Sequence, residues 1–506
     1  MQFNENLTGK ILDPIHGIIR FTELESDFID HPLFQRLRNI KQNTFLYKVF
    51  PSAMHSRFEH SLGVMHLSYE ILEHMSVNAH RYKKKYNNDE RIFSDLPNLP
   101  ASSIQELRLA ALMHDIGHGP MSHQFDSFMC DKSEFQRYFG NDYSQIVDLI
   151  KDGSSVEHEH ISLFFVKVIY DSLPEEKRRQ INIDNVLSII EKDYQKEILV
   201  NLDGDKIDIL PLFTSIISSC PIDADRMDYL LRDSYFSGVK CGIYDHNRLF
   251  MSMVPVFSES TVFLAYKESG LDSIVEFINA RSNLFGQVYY HKTNRSFSSM
   301  LTKVCSLAKN SKSLSPLFNF SSFEEESNSF IRQIQDFYLI NSDDHFLNQQ
   351  LKSIIPEIGI EHNIIKDIVD RKPWSKVFES KIYPENLRIT TLIDANTVKL
   401  LESRLNDFIS EQDIDSSMFT IDVMTDNAFK DIAKTKIKLL EKHLDGTYLI
   451  KDFKDANDKL SKYQSIKCYI RIFAHESISH KFDLNLVKAV DAEKVKFLKK
   501  YCLVKN

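Results

Sequence analysis

The chain has 506 residues, with 62 Lys+Arg against 71 Asp+Glu and a formal net charge of −9 at pH 7. A composition that is 42% hydrophobic and 26% charged excludes global disorder, and this length buries a core without help from disulfides. The acidic balance argues against wholesale coating of nucleic acid and leaves only a local basic patch open.

The first ten residues, MQFNENLTGK, carry no apolar segment of the kind a secretory signal needs, so no such signal is expected. The longest apolar runs, such as Ile161–Val166, fall far short of the ~20 residues of a membrane helix. Cys130, Cys220, Cys241, Cys305, Cys468 and Cys502 form no CxxC pair, which reads as isolated, mostly buried thiols in a reducing compartment. The expectation is a cytoplasmic protein with no membrane association.

From Asp30 to about Arg232 the pattern is helical. His60, Val64, Leu67 and Ile71 recur at the helical period, as do Leu107, Ala110, Ala111 and His114. Tyr82 to Pro100 breaks the pattern and reads as a solvated excursion. The charged stretch Glu175 to Asp208 reads as an insertion of helices and a turn. After about Tyr383 the character changes. Leu387–Ile393, Phe419–Val423, Tyr448–Ile450 and Cys468–Phe473 are β-prone, separated by helical stretches near Thr397–Ile409, Asn427–His443 and Leu484–Lys499. The fold class is therefore mainly α: a helical core over 1–380, with insertions near 80–100 and 175–210, and a small α+β subdomain over 381–506.

Three segments place metal-type ligands on apolar helix faces: Arg57-Phe-Glu-His60; His114-Asp115, followed by Ile-Gly-His118-Gly-Pro-Met-Ser-His123; and Asp223-Ala-Asp225-Arg226-Met-Asp228-Tyr229. A lone histidine on such a face is more often a satisfied core residue. Two of them beside a carboxylate, without partners, would cost several kcal/mol to bury. A divalent cation resolves that cost, since it accepts imidazole nitrogen and carboxylate oxygen together. Adjacent residues diverge on a regular helix, so His114 and Asp115 reach one cation only near a helix end, and Gly117 and Gly119 follow at once. Asp225, Tyr229 and Arg232 share one helix face and bring a carboxylate, a phenol and a guanidinium toward one pocket. His114, His118, His123, His158 and His160 fall within fifty residues. Asp126 lies three residues after His123, and Glu159 directly follows His158. A carboxylate beside an imidazole raises its pKa and fixes its tautomer, which suits a general acid near neutrality.

The order His60, His114-Asp115, Asp225 resembles the H…HD…D signature of the HD-domain phosphohydrolases. Longer strings narrow the resemblance: ILDPIHG (Ile11–Gly17), PLFQRLRNIKQ (Pro32–Gln42), FPSAMHSRFEHSLGVMHL (Phe50–Leu67), MHDIGHGPMSH (Met113–His123), IDADRMDYLLRDSYFSG (Ile222–Gly238) and YYHK (Tyr289–Lys292). They are similar to the deoxynucleoside triphosphate triphosphohydrolases, the branch that includes the vertebrate sterile-alpha-motif-and-HD enzyme. The similarity runs from about residue 10 to about 380. The chain starts almost at ILDPIHG, so no sterile-alpha-motif domain is expected.

The resemblance implies roles. His60, His114, Asp115 and Asp225 would hold a divalent transition metal (Fe, Mn, Zn, Co or Ni), and Mg²⁺ would arrive with the triphosphate. His118, His123 and His158 would surround the α-phosphate, with Asp126 and Glu159 as orienting carboxylates. Arg57, Gln42, Arg226, Tyr229, Asp233, Arg281 and Tyr289 would bind substrate, with a tyrosine under the deoxyribose excluding a 2′-hydroxyl. An activated water would attack the α-phosphorus. His123 held by Asp126, or alternatively His158, would protonate the leaving 5′-oxygen. The products would be a deoxynucleoside and inorganic triphosphate. Asp30, Gln35, Arg38, Arg248 and Lys292 match positions where an activating nucleotide joins subunits, so a homo-oligomer is expected. The family's roles in dNTP-pool control and in defence against viral or phage DNA come with the resemblance. Two other readings stay open. One is an HD hydrolase acting on nucleoside monophosphates, cyclic nucleotides or ppGpp; the other is a non-catalytic nucleotide or nucleic-acid sensor.

Overall fold

The structure is a computed structural model that describes residues 2–85, 91–139, 143–219, 221–308, 327–352, 363–382, 395–426, 435–442, 448–455 and 467–502. It is mainly α. An N-terminal hairpin pairs β1 (Gly9–Asp13) with β2 (Gly17–Phe21) in antiparallel register. Asp13 closes its turn by accepting from the amides of Ile15 and His16 at 2.9 Å each, and Gly17 supplies the left-handed residue with φ 72°. The following helix, Glu23–Asp30, starts on a reciprocal capping box between Thr22 and Glu25.

The helix Arg57–Lys85 is the axis of the larger core. Ala101–Met113 and Ala224–Ser237 pack along it, and Val64, Leu67, Ile71, Leu107 and Ala111 are all fully or nearly fully buried. These are the positions the helical period picks out. The region expected as a solvated excursion is different. The helix continues through Tyr82, and Tyr82, Ile92, Phe93, Leu96 and Leu99 are buried. Phe93 N donates to Pro255 O at 3.1 Å, so the segment is stitched to β5 (Met253–Ser258). Its charged residues surround apolar ones that face the core, and composition alone averages the two.

The charged stretch after Glu175 holds helices Glu175–Arg178 and Ile183–Ile190 and then a hairpin of β3 (Leu199–Leu202) and β4 (Asp205–Asp208), where only helices and a turn were expected. Asp203 and Gly204 both have positive φ, the conformation a two-residue hairpin demands. These strands enter a sheet ordered β10-β9-β6-β4-β3, with β5 paired to β6 (Thr261–Lys267). β9 (Lys438–Lys442) runs parallel to β6, and β10 (Tyr448–Asp452) closes that edge. The helix expected over Asn427–His443 is therefore a strand at Lys438–Lys442; residues 427–434 and 443 lie outside the described residues. Ile437, Leu439 and Leu440 are buried there, and a sheet edge that ends 171 residues upstream overrides local helix propensity.

A second sheet, β7 (Ser375–Ile382), β11 (Lys467–Ala474) and β8 (Phe419–Asp426), is antiparallel in the order β7-β11-β8. With helices Ala395–Ser410 and Leu484–Tyr501 it surrounds a smaller core that includes Leu401, Leu405, Ile470 and Val490. The boundary expected at 380/381 falls within β7, and the run Leu387–Ile393 lies outside the described residues. Cys130, Cys305, Cys468 and Cys502 are buried free thiols and Cys241 a half-buried one; Cys220 lies outside the described residues. Among the described residues no helix is long and apolar enough to cross a membrane.

Candidate active site

His60 sits one turn into Arg57–Lys85. His114 closes Ala101–Met113, and Asp115 follows in the turn. Asp225 lies in the first turn of Ala224–Ser237, whose N-cap Asp223 accepts from Arg226 N at 2.8 Å. Helix ends thus bring together side chains that are 54 and 111 positions apart in the sequence. Nε2 of His60 lies 3.1 Å from Asp225 Oδ1 and 3.7 Å from Asp115 Oδ2; Nε2 of His114 lies 3.4 Å from Asp115 Oδ1 and 3.9 Å from Asp225 Oδ1.

The other ring nitrogens fix the tautomers. His60 Nδ1 donates to Asp228 Oδ2 at 2.7 Å, and His114 Nδ1 donates to Ala111 O at 2.8 Å. Both Nε2 atoms are thereby left as acceptors, buried and without a hydrogen-bond donor. Two orphaned imidazole nitrogens facing a carboxylate, with donor atoms within 4.8 Å of one another, are what a divalent transition cation needs. Burial by itself lowers the His60 pKa, but hydrogen bonds to Asp225 and Asp228 push it up to about 10, so a proton competes for the place of the cation.

Asp228 anchors this side. Its carboxylate accepts from His60, from His16 Nε2 at 2.7 Å, and from Arg232 Nε and Nη2 at 2.8 and 2.9 Å. Arg232 also reaches Asp13 at 2.8 Å, so the N-terminal hairpin is tied into the same network. Burial tends to raise the Asp228 pKa, but Arg232, His16 and His60 hold it well below the ordinary carboxylate range. Arg232 therefore does not reach the pocket with Asp225 and Tyr229, as its place on the helix face predicts; the buried carboxylates of Asp228 and Asp13 claim it. Gly63 makes room, because a Cβ there would overlap the Asp228 carboxylate and the Arg232 guanidinium. Sequence reasoning missed Asp228 as an orienting residue. The signal was Asp228 at i+3 from Asp225, with Arg232 one turn further.

The other imidazoles cluster nearby. His118 and His158 stack with ring centroids 3.6 Å apart, and His123 meets both edge-on at 4.6 and 5.0 Å. Asp126 lies 3.0 Å from His158 Nδ1 and 3.7 Å from His123 Nδ1, and Glu159 lies 3.2 Å from His158 Nδ1. The carboxylate expected to hold His123 therefore sits closer to His158. His123 is two-thirds exposed, whereas His118 is fully buried. Burial, Arg57 and His158 push the His118 pKa well down, which keeps that ring neutral. For His158 burial works downward, but the Asp126 hydrogen bond and the charges of Glu159, Asp126 and Asp115 leave its pKa raised. Gly117 lets this loop approach the helix His158–Ser172, since a Cβ there would strike the backbone of His158 and Ser162.

A cavity of about 380 Å³ opens beside these rings, and Gln42, Arg57, His123, Tyr229, Asp233 and Tyr289 line it. Arg57 pairs with Asp115 and donates to Ser122 Oγ at 2.9 Å. Asp233 is buried and accepts from His55 Nε2 at 2.6 Å, from Asn43 Nδ2 at 2.9 Å and from the Tyr289 hydroxyl. Gln42 Oε1 and the Nε and Nη1 of Arg281 are buried without partners, and Arg281 lies over Phe285, another lining residue. Arg226 is turned to Asp223 and does not line this cavity. Asp30, Gln35 and Arg38 lie apart from it: Ser26 Oγ donates to Asp30 at 3.2 Å, and Arg38 Nε donates to Gln35 Oε1 at 2.8 Å. Arg248 and Lys292 are exposed, and no hydrogen bond or ion pair among the described residues joins their side chains to that group.

Residues 57–233 match the HD domain family. The chain is 33% identical over 300 residues to the uncharacterized protein YwfO of Bacillus subtilis, covering 59% of this chain and 55% of that one. It is 28% identical over 389 residues to the deoxynucleoside triphosphate triphosphohydrolase SAMHD1 homolog of Dictyostelium discoideum, covering 76% and 63%. A crystal structure of a hypothetical protein from Aquifex aeolicus shares the fold at TM-score 0.57 and 23% identity, over 94% of this chain and 99% of that one. The chain spans about half to three fifths of the length of the curated relatives it matches. His60, His114, Asp115 and Asp225 all fall inside the matched segment, so residues 57–233 of this chain carry an HD domain and that domain holds the candidate cation ligands.

Proposed function

We propose that the protein hydrolyses deoxynucleoside triphosphates to deoxynucleosides and inorganic triphosphate. The observation that carries this reading is the pairing of a side-chain group able to hold a divalent cation with three clustered imidazoles at the edge of a tyrosine-lined cavity. The Dictyostelium relative's name supports the same substrate class. His60, His114 and Asp225, with Asp115 beside them, would hold the cation. When bound, such an ion supplies positive charge to the phosphoryl oxygens and lowers the pKa of water.

The chain's own residues do the rest. Arg57, on the cavity wall, neutralises phosphate oxygens, and Arg281, which lies over the lining residue Phe285, would add its Nε and Nη1 donors only by turning toward the cavity. His118, kept neutral by its surroundings, orients the reacting phosphate by hydrogen bonding. Water attacks the α-phosphorus and the P–O5′ bond breaks. His158 gives its proton to the departing 5′-oxygen, with Asp126 and Glu159 holding the ring. Asp126 is nearer to His158 than to His123, which favours His158 as the acid and leaves His123 at the mouth of the site. Tyr229 and Tyr289 receive the deoxyribose, and Asp233 fixes Tyr289 in place. Mg²⁺ accompanies the triphosphate. Arg226 would join only by leaving Asp223.

Product analysis tests this. Each dNTP, each NTP, a cyclic nucleotide and ppGpp are incubated with the cation-loaded protein. Inorganic triphosphate from dNTPs is expected; mono- or diphosphate products, or turnover of another nucleotide class alone, would replace this reading. We also propose nucleotide-dependent assembly, with Asp30, Gln35, Arg38, Arg248 and Lys292 at the positions that would receive an activating nucleotide between subunits. Size-exclusion with light scattering, with and without each dNTP, should show a mass increase. Constant mass with linear kinetics removes the regulation.

A further inference from the structure

The loop carrying His118 and His123 is fastened from outside the HD domain. Met121 and Ser122 follow one another in the left-handed region, at φ 68° and 53°. Neither is glycine or asparagine, so such a turn persists only where its neighbours over-determine it. Thr44 Oγ1 donates to Met121 O at 2.8 Å. Ser122 Oγ donates to Lys41 O at 2.7 Å and accepts from Arg57 Nε at 2.9 Å. Arg36 donates to His118 O at 2.8 Å and to Ile116 O. A further fastening is Asp343, more than a hundred residues beyond the HD segment. Its Oδ1 accepts from Met121 N at 2.6 Å and its Oδ2 from Lys41 N at 2.8 Å.

Asp343 is 3% exposed, and the cation nearest in ion-pair contact, Lys41 Nζ, is 3.9 Å away. A buried carboxylate with so loose a counter-charge is expensive to keep. Burial pushes its pKa up to about 6 even against the two amide donors and Lys41. Both segments it joins run into the cavity wall, one through Gln42, Asn43 and Thr44, the other through Ser122 and His123. The expense is explained if the carboxylate sets the spacing between them.

We infer that Asp343 is a positioning residue of the active site: by holding the amides of Met121 and Lys41 at once, it fixes the strained turn that sets His118 and His123 against Arg57. The inference rests on the hydrolytic reading above for its effect on turnover, but its geometry is read independently.

Asp343→Ala removes both acceptors. Asp343→Asn keeps the volume and one acceptor but turns an NH₂ toward the second amide. Hydrogen exchange with mass spectrometry on the full, cation-loaded chain reads the Met121 amide itself. Exchange in peptides spanning 116–124 should be about tenfold faster or more in both variants. The kcat on dNTPs should fall roughly 10- to 100-fold. KM should stay within about threefold, with the cation content of wild type. Adding Met121→Gly, which accepts a positive φ freely, should recover part of the kcat lost in Asp343→Ala. Unchanged exchange in both variants overturns the inference whatever the substrate. A kcat loss in Asp343→Asn matched by lost cation or by global unfolding overturns it as well. Faster local exchange, in a protein whose wild type releases no triphosphate from any dNTP, keeps the inference and removes the hydrolytic reading instead.

Discussion

The candidate cation ligands and the clustered imidazoles lie side by side, yet they are built differently. His60, His114 and Asp225 stand on helix ends, and His60 is wired through Asp228 to Arg232, His16 and Asp13 inside the core. His118 and His123 hang on a turn of strained backbone, and His123 is largely exposed. A cation demands fixed donor positions before it arrives, so rigid helices and a charged second layer suit it. A proton donor must meet a substrate that comes and goes, so a loop with one open imidazole suits that task.

The largest effect should come from the rigid side. His114→Ala with Asp115→Ala removes donors that nothing nearby replaces; cation content should fall to background and kcat by at least ~10³-fold. Elemental analysis alongside turnover checks this, and retained activity in the cation-free variant would dissolve the contrast between the two halves. Next in size is Asp228→Asn, which keeps the shape and releases the hold on His60. Cation affinity, read by chelator competition, should drop roughly 10- to 100-fold. Asp228→Ala should further destabilise the fold by ~3–5 kcal/mol, because Arg232 loses a partner inside the core. Unaltered affinity in Asp228→Asn would mean the second layer is packing only.

The smallest effect lies on the loop side and concerns pH. The His158 pKa is raised above 6.5, so the ring is protonated at low pH and loses its proton as pH rises through the higher folded value. As the acid, it should give a kcat that is level below that value and falls above it. The same shift contributes stability that is complete below the unfolded value of 6.5 and is lost as pH climbs through the folded one. Asp126→Asn should move the alkaline limb of kcat to lower pH. A limb that does not move would return the acid role to His123.

Much of the cation side was legible in the chain. His60 in line with Val64 and Leu67, and the paired His114-Asp115 before two glycines, follow from periodicity and helix-stop chemistry; Asp225 was legible on a helix face with Tyr229, and its joining the other three came with the resemblance. Asp228 was printed in the same string, but its role depends on which way the helix Ala224–Ser237 rolls against Arg57–Lys85, and Gly63 settles that. The loop side was harder. MHDIGHGPMSH signals chemistry, yet nothing local shows that Asp126 would lie nearer His158 than His123, or that Asp343 would clamp Met121. The strand at Lys438–Lys442 failed for the same reason, since its partner is β6, which ends 171 residues earlier.

The sequence by itself determined the helical core and the residues able to bind a cation, because those properties follow from side-chain chemistry and from periods a few residues long. Only the tertiary structure decided the pairing of His60 with Asp228, the diversion of Arg232 into the core, the choice of carboxylate for each imidazole and the reach of Asp343. Each of those depends on where separate elements meet, and a buried charge takes the partner that packing brings within three ångströms rather than the one written beside it.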